Sequence, residues 1–196
     1  MRDMKLLVFA GSARRESLNR KLAAEAASLA RDAGAVVTHI ELAEYELPLY
    51  HGDLEMQGMP PGVLRLKQVL DEHPGWIVVT PEYNGSYTPL LKNALDWASR
   101  PMPGTPGWED GLRPFRGKVV GMLSASAGAL GGLRAQSHLG PLLQVLKCWV
   151  APQAFALGRA DKAFDEQGRL LDPATRQQVQ AVVGQVIGAA DRLQGL

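Results

Sequence analysis

The chain carries a single cysteine, Cys148, in 196 residues. One thiol makes no internal disulfide, no CxxC redox pair, no zinc knuckle and no iron–sulfur site, and such sparing use of cysteine fits a reducing, cytoplasmic compartment. Charge of one sign is also missing: 21 Lys and Arg stand against 20 Asp and Glu, a formal net charge of +1. That balance supplies no field for gripping a nucleic-acid backbone or an anionic membrane surface, so neither is an expected partner. No stretch approaches the ~18–20 apolar residues of a membrane-spanning helix. The apolar run after Lys5 is too short for a signal peptide, has Asp3 in its basic flank, and leads into Gly11-Ser12-Ala13 without a cleavable tail. His39, His51, His73 and His138 are scattered without metal-ligand spacing, so no metal site is expected.

What is present is 46% hydrophobic and 21% charged residues, the composition of an ordinary globular protein. The length corresponds to one domain spanning 1–196. Short apolar runs rich in β-branched residues alternate with helix-like stretches, the pattern of βαβ units and a parallel sheet covered on both faces. Strands are expected at 5–10, 35–42, 76–80, 118–123 and within 149–157. Helices are expected at 18–33, with Ser17 as N-cap and Gly34 as stop, at 61–72, 89–99 and 133–147, and from Pro173 to about 193. Residues 47–62 read as turn and loop. The 101–111 segment, rich in proline and glycine, reads as an irregular loop that is either functional or a surface insertion. Five βα units make an α/β three-layer sandwich with a five-stranded parallel sheet the economical architecture.

In such sheets ligands sit beyond the carboxyl ends of the strands, so the loops there carry the information. After the first strand comes Gly11-Ser12-Ala13-Arg14-Arg15-Glu16-Ser17-Leu18-Asn19. It is neither GxGxxG nor GxxxxGK[ST]. It does place two hydroxyls, an amide and arginines at a helix N-terminus, where free N–H groups and the helix dipole favour a terminal phosphate. The alternative is a plain N-cap with solvated arginines. After the third strand, Pro81-Glu82-Tyr83-Asn84-Gly85-Ser86-Tyr87-Thr88-Pro89 is a loop of defined shape, offering backbone donors and acceptors beside flat side chains, as a planar heterocycle requires. After the fourth, Ser124-Ala125-Ser126-Ala127-Gly128 is small enough for a ring to approach. The same segment nearly matches a hydrolase nucleophile elbow, but the last histidine, His138, precedes every later acid, against the chain order of that family. Loops without acid–base pairs point to a cofactor that carries the chemistry, and no catalytic side chain is assigned.

These loops resemble those of the NADPH-dependent FMN reductase family, the flavodoxin-like group that includes quinone, azo-dye and chromate reductases. The resemblance rests on Gly11-Ser12, Arg14, Ser17 and Asn19, on Pro81 to Ser86, on Pro89 with Leu91-Lys92-Asn93-Ala94 and Asp96-Trp97, on Gly117-Lys118, and on Gly131-Gly132 with Arg134-Ala135-Gln136. It implies strand order 2-1-3-4-5, FMN as cofactor and NADPH or NADH as donor. By it, Ser12, Arg14, Ser17, Leu18 and Asn19 would bind the FMN phosphate. Pro81, Glu82, Tyr83, Asn84 and Gly85 would frame the isoalloxazine, mainly through main-chain groups, with Ser126 near the same ring. Electrons would pass from NAD(P)H through FMN to a small-molecule acceptor such as a quinone, azo compound, metal oxyanion or free flavin. The rival functions are an electron carrier of the flavodoxin type and a reductase that hands reduced FMN to a partner enzyme. The resemblance also implies a homodimer or homotetramer with FMN near the interface. In the 89–99 helix, Leu90, Leu91, Ala94, Leu95, Trp97 and Ala98 cover an arc of about 160°, wider than the ~100° stripe of a surface helix, so Trp97 is expected to face a partner subunit, the alternative being a long loop that covers it.

Overall fold

The computed structural model describes residues 4–193. The apolar runs become the middle of a parallel sheet: β1 (Lys5–Ala10), β2 (Val36–Glu41), β3 (Gly75–Val79) and β4 (Val119–Ala125) pair in the order β2-β1-β3-β4. Its register runs through Leu7 opposite Trp76 and Trp76 opposite Val120. Because side chains alternate across a strand, odd and even positions serve different helices. Leu6, Val8, Ile77, Val79 and Leu123 pack under α1 (Leu18–Asp32) and α6 (Pro173–Leu193). Leu7, Phe9, Trp76, Val78 and Val120 pack under α3 (Pro61–Glu72), α4 (Pro89–Ala98) and α5 (Leu133–Val145). The chain leaves β1 toward one edge and returns at β3 toward the other. That reversal between β1 and β3 opens the crevice characteristic of the 2-1-3-4-5, flavodoxin-like order.

The expected fifth strand is split. Trp149–Val150 (β5) and Phe155–Leu157 (β6) each pair with β4, and the chain between them carries Pro152. Proline has no N–H for the ladder, and the pairing shifts by two residues across it, from Val120–Val150 to Leu123–Phe155. The buried Gln136 amide holds the second piece in place, donating to Ser124 Oγ at 2.7 Å and to Phe155 O at 2.8 Å. Strand β4 reaches Ala125, two residues beyond its expected end. Helix α5 continues through Pro141 without dividing. Strand β2 stops at Glu41, one residue before its expected end, and a 3-10 turn follows at Leu42–Tyr45; the 47–62 stretch read as loop contains a short helix, α2 (Gly52–Met56).

Trp97 does not face a partner. It is fully buried, its ring edge-on to Tyr50 with centroids 5.0 Å apart, and its Nε1 donates to Pro48 O at 2.7 Å. Asn93, one turn earlier on α4, accepts from Tyr50 N at 2.8 Å and donates to Leu47 O and Pro48 O. A helical wheel measures the width of an apolar face but not which segment folds back over it; here the chain's own residues 47–50 do.

The 101–111 loop is anchored. Lys67 on α3 is buried and donates to Ala98 O at 2.9 Å, Arg100 O at 2.8 Å and Gly111 O at 3.4 Å. Trp108 lies between Lys67 and Arg113, 5.3 and 4.6 Å from its ring centroid. Burial pushes the Lys67 ammonium down to about 8, opposed by the negative charges of Asp110 and Asp71.

Candidate cofactor site

The loops after β1, β3 and β4 meet at the crevice and enclose a cavity of about 250 Å³. The first is fixed to its neighbour by close approach. Gly11 N donates to Val79 O at 2.8 Å, and Thr88, the N-cap of α4, donates its hydroxyl to Gly11 O at 2.6 Å. A Cβ at Gly11 would stand 2.9 Å from Thr88 Oγ1 and 3.0 Å from Leu91 Cβ, so no larger residue fits without displacing α4.

Downstream of Gly11, Ser17 has extended dihedrals and its Oγ accepts from Asn19 N and Arg20 N, capping α1. Its hydroxyl proton is left for an outside acceptor. Ser12 and Leu18 line the same cavity, and so does Arg14, whose guanidinium is exposed and makes no hydrogen bond or ion pair among the described residues. A free guanidinium, two hydroxyls and the Leu18 amide, the first of α1, form a donor set for a phosphate monoester.

Asn19 has a different task. Its amide donates to Ala125 O at 2.8 Å and its carbonyl accepts from Ala125 N at 2.9 Å, closing a buried two-bond clasp between α1 and the end of β4. Asn19 lines the cavity, but its side chain is committed to the backbone that delivers Ser126.

In the second loop Pro81, Glu82 and Tyr83 line the cavity. Asn84 and Gly85 do not. They are the central residues of a two-residue turn, with φ of 51° and 81°, closed by Tyr83 N to Ser86 O at 2.9 Å and Ser86 N to Tyr83 O at 3.1 Å. Asn-Gly is the usual pair for such a left-handed turn, and its place here is at the tip of the loop, where it shapes the cavity edge indirectly.

Among the described residues Glu82 is the one acid in the wall. Its Oε1 accepts from Arg134 Nε at 2.7 Å and is also paired with Arg134 Nη2.

The third loop contributes Ser126 with Ala125 and Ala127 on either side. The two alanines were not singled out from the sequence. Their signal was the small-residue run itself, which marks a surface open to close approach without saying which residue reaches it. Ser126 N donates to Leu157 O at 3.0 Å, and Ser126 Oγ accepts from Gly128 N at 3.1 Å. At Gly131, with φ of 62°, a Cβ would press to 2.6 Å on the backbone of Ala156 and Leu157, which keeps the Gly-Gly pair glycine.

The site thus has a cationic, donor-rich end for a phosphate and a polar, small-residue end for a ring, with no nucleophile–base pair. Cys148 is buried elsewhere, its thiol pushed up to about 12 by burial, and offers no thiolate. A larger cleft of about 720 Å³ lies between α2 and residues 100–105, and two of its charged side chains, Arg100 and Glu55, pair with each other. There Arg100 Nε meets Glu55 at 2.9 Å and Tyr50 Oη donates to Glu55 at 2.9 Å. No helix of the described residues is long and apolar enough to cross a membrane.

Comparison with known proteins bears on this geometry. Residues 4–162 match the family model described as NADPH-dependent FMN reductase. An NAD(P)H-dependent FMN reductase of Pseudomonas aeruginosa is 38% identical over 180 residues, covering 91% of this chain and 90% of the relative. A quinone reductase of Pseudomonas putida is 36% identical over 178 residues, 90% of this chain and 89% of its own. Among solved structures, the flavoenzyme NAD(P)H:(acceptor) oxidoreductase FerB of Paracoccus denitrificans superposes with a TM-score of 0.78 at 29% identity, over 96% of this chain and 98% of that one.

Proposed function

The chain belongs to the NADPH-dependent FMN reductase family, and from that premise we propose an oxidoreductase that works in two half-reactions at one site, with NAD(P)H and a small oxidised acceptor occupying it in turn. FMN, when bound, supplies the hydride-accepting and electron-donating chemistry. The chain's own residues do the rest. Arg14, the Ser12 and Ser17 hydroxyls and the first amide of α1 hold the phosphate. The Thr88–Gly11 and Asn19–Ala125 contacts keep the three loops at fixed spacing, which is the orienting contribution a protein makes to cofactor chemistry.

The single observation that carries this reading is the unpaired Arg14 guanidinium at the capped start of α1, facing a cavity of about 250 Å³. That volume is below the ~300 Å³ at which pockets begin to enclose a whole ligand. It therefore suits the phosphate and its tether, with the ring at the mouth, open to a second substrate. The acceptors that fit are flat or small oxidants: quinones, azo compounds, metal oxyanions or free flavin. The reading extends to a homodimer or homotetramer with FMN near its interface, supported by the exposed Tyr83 and Leu130 on the loops around the site and Leu133 at the start of α5, and to a cytoplasmic location, supported by the lone, buried thiol. Steady-state NAD(P)H oxidation at several quinone concentrations tests the shared site. Parallel double-reciprocal lines are expected, and intersecting lines would overturn it. Sedimentation velocity of the FMN-loaded chain gives the assembly.

A further inference from the structure

One polar atom of the cavity wall is buried without a partner. The Glu82 side chain is only 10% exposed, and both contacts of its carboxylate come from Arg134 and fall on Oε1. Among the described residues Oε2 has no hydrogen bond. Leaving a carboxylate oxygen bare and out of water is costly, and such a group in a native site calls for a reason. Arg134 itself is 64% exposed and reaches from the first turn of α5 across to the loop after β3. A negative charge therefore stands in the wall of the cavity, neutralised by one guanidinium held from the surface.

We infer that Arg134 is a positioning residue that, by neutralising and orienting Glu82, sets how readily bound flavin accepts electrons. The inference rests on the FMN reading above. A hydride from NAD(P)H brings two electrons and one proton, so NAD(P)H leaves as NAD(P)⁺ and the flavin ring gains one negative charge. A bare carboxylate in a water-poor wall opposes that charge; a paired one opposes it little. Removing Arg134 weakens the grip on reduced FMN more than on oxidised FMN. A residue that merely helped to hold the phosphate would weaken both equally, because the phosphate is the same in both states.

The experiment loads the purified full chain with FMN, measures FMN affinity by flavin fluorescence, and reads the midpoint potential against a reference dye. Arg134→Ala is expected to shift the ratio of reduced to oxidised affinity on the order of tenfold against the reduced form, about 30 mV more negative for a two-electron couple. Arg134→Lys retains most of the wild-type potential. Glu82→Gln moves it the other way, and adding Arg134→Ala to Glu82→Gln produces no further shift, since the arginine acts through the carboxylate. An unmoved potential in Arg134→Ala, an equal loss of both redox states, or the same shift in the Glu82→Gln background overturns the inference alone. A wild-type chain that binds no FMN removes the FMN reading, and this inference with it.

Discussion

Asn19 offers the sharpest separation between a residue that holds the ligand and one that holds the protein. Its two side-chain bonds to Ala125 are 2.8 and 2.9 Å long and buried. Truncation to alanine leaves both the N–H and the carbonyl of the buried Ala125 without protein partners. Each stranded group costs about 1–3 kcal/mol, so Asn19→Ala should destabilise the chain by roughly 2–6 kcal/mol, a large part of the ~5–15 kcal/mol that separates folded from unfolded domains. Asn19→Asp keeps the acceptor for Ala125 N but sets a carboxylate oxygen against Ala125 O, and should be no less damaging. The assay is urea unfolding of the cofactor-free chain, read as a lower midpoint at unchanged slope. If Asn19→Ala moves the midpoint by less than the equivalent of about 0.5 kcal/mol, the scale of an ordinary surface change, while lowering FMN affinity, the side chain serves the phosphate and the clasp argument fails.

Arg14→Ala should weaken FMN binding by about 1.5–3 kcal/mol, the range for a hydrogen bond to a charged group, with urea stability unchanged; unaltered flavin affinity in a fluorescence titration removes Arg14 from the site. Burial places the folded-state value of Lys67 at about 8 against an ordinary 10.5, so between those values the unfolded chain binds more protons and this group's contribution to stability rises with pH. Compared with Lys67→Met, the wild type should gain stability between pH 7.5 and 9.5 in urea titrations; a relative loss would mean that its three carbonyl bonds outweigh burial. Cys148, buried with its thiol pushed up to about 12, should resist a chromogenic disulfide reagent at pH 8 until the chain is unfolded, and a fast reaction with native protein would refute that placement.

Where local chemistry is strong, the sequence was sufficient. The all-apolar 76–79 run could only be a central strand, Ser17 before a periodic helix could only be its cap, and Pro173 after Asp172 marked the start of the last helix. The same holds for the grouping of the site into three loops, because a doubly wound sheet brings the carboxyl ends of its central strands together whatever else the chain does. Side-chain commitments lay beyond that reach. Asn19 and Asn93 are the same residue type near helix starts, yet one clasps Ala125, 106 positions away, and the other ties down residues 47–50. Trp97 looked like surplus on a helical wheel and is covered by the chain's own Tyr50 and Pro48. Asn84 and Gly85, equal members of the quoted motif, are the two left-handed residues at the tip of a turn, beside the residues that line the cavity. Periodicity, caps and loop composition are set by neighbours along the chain, and these the sequence determined by itself. Which polar atom is satisfied by protein and which is left for a ligand depends on contacts between residues far apart in sequence, and only the tertiary structure decided that.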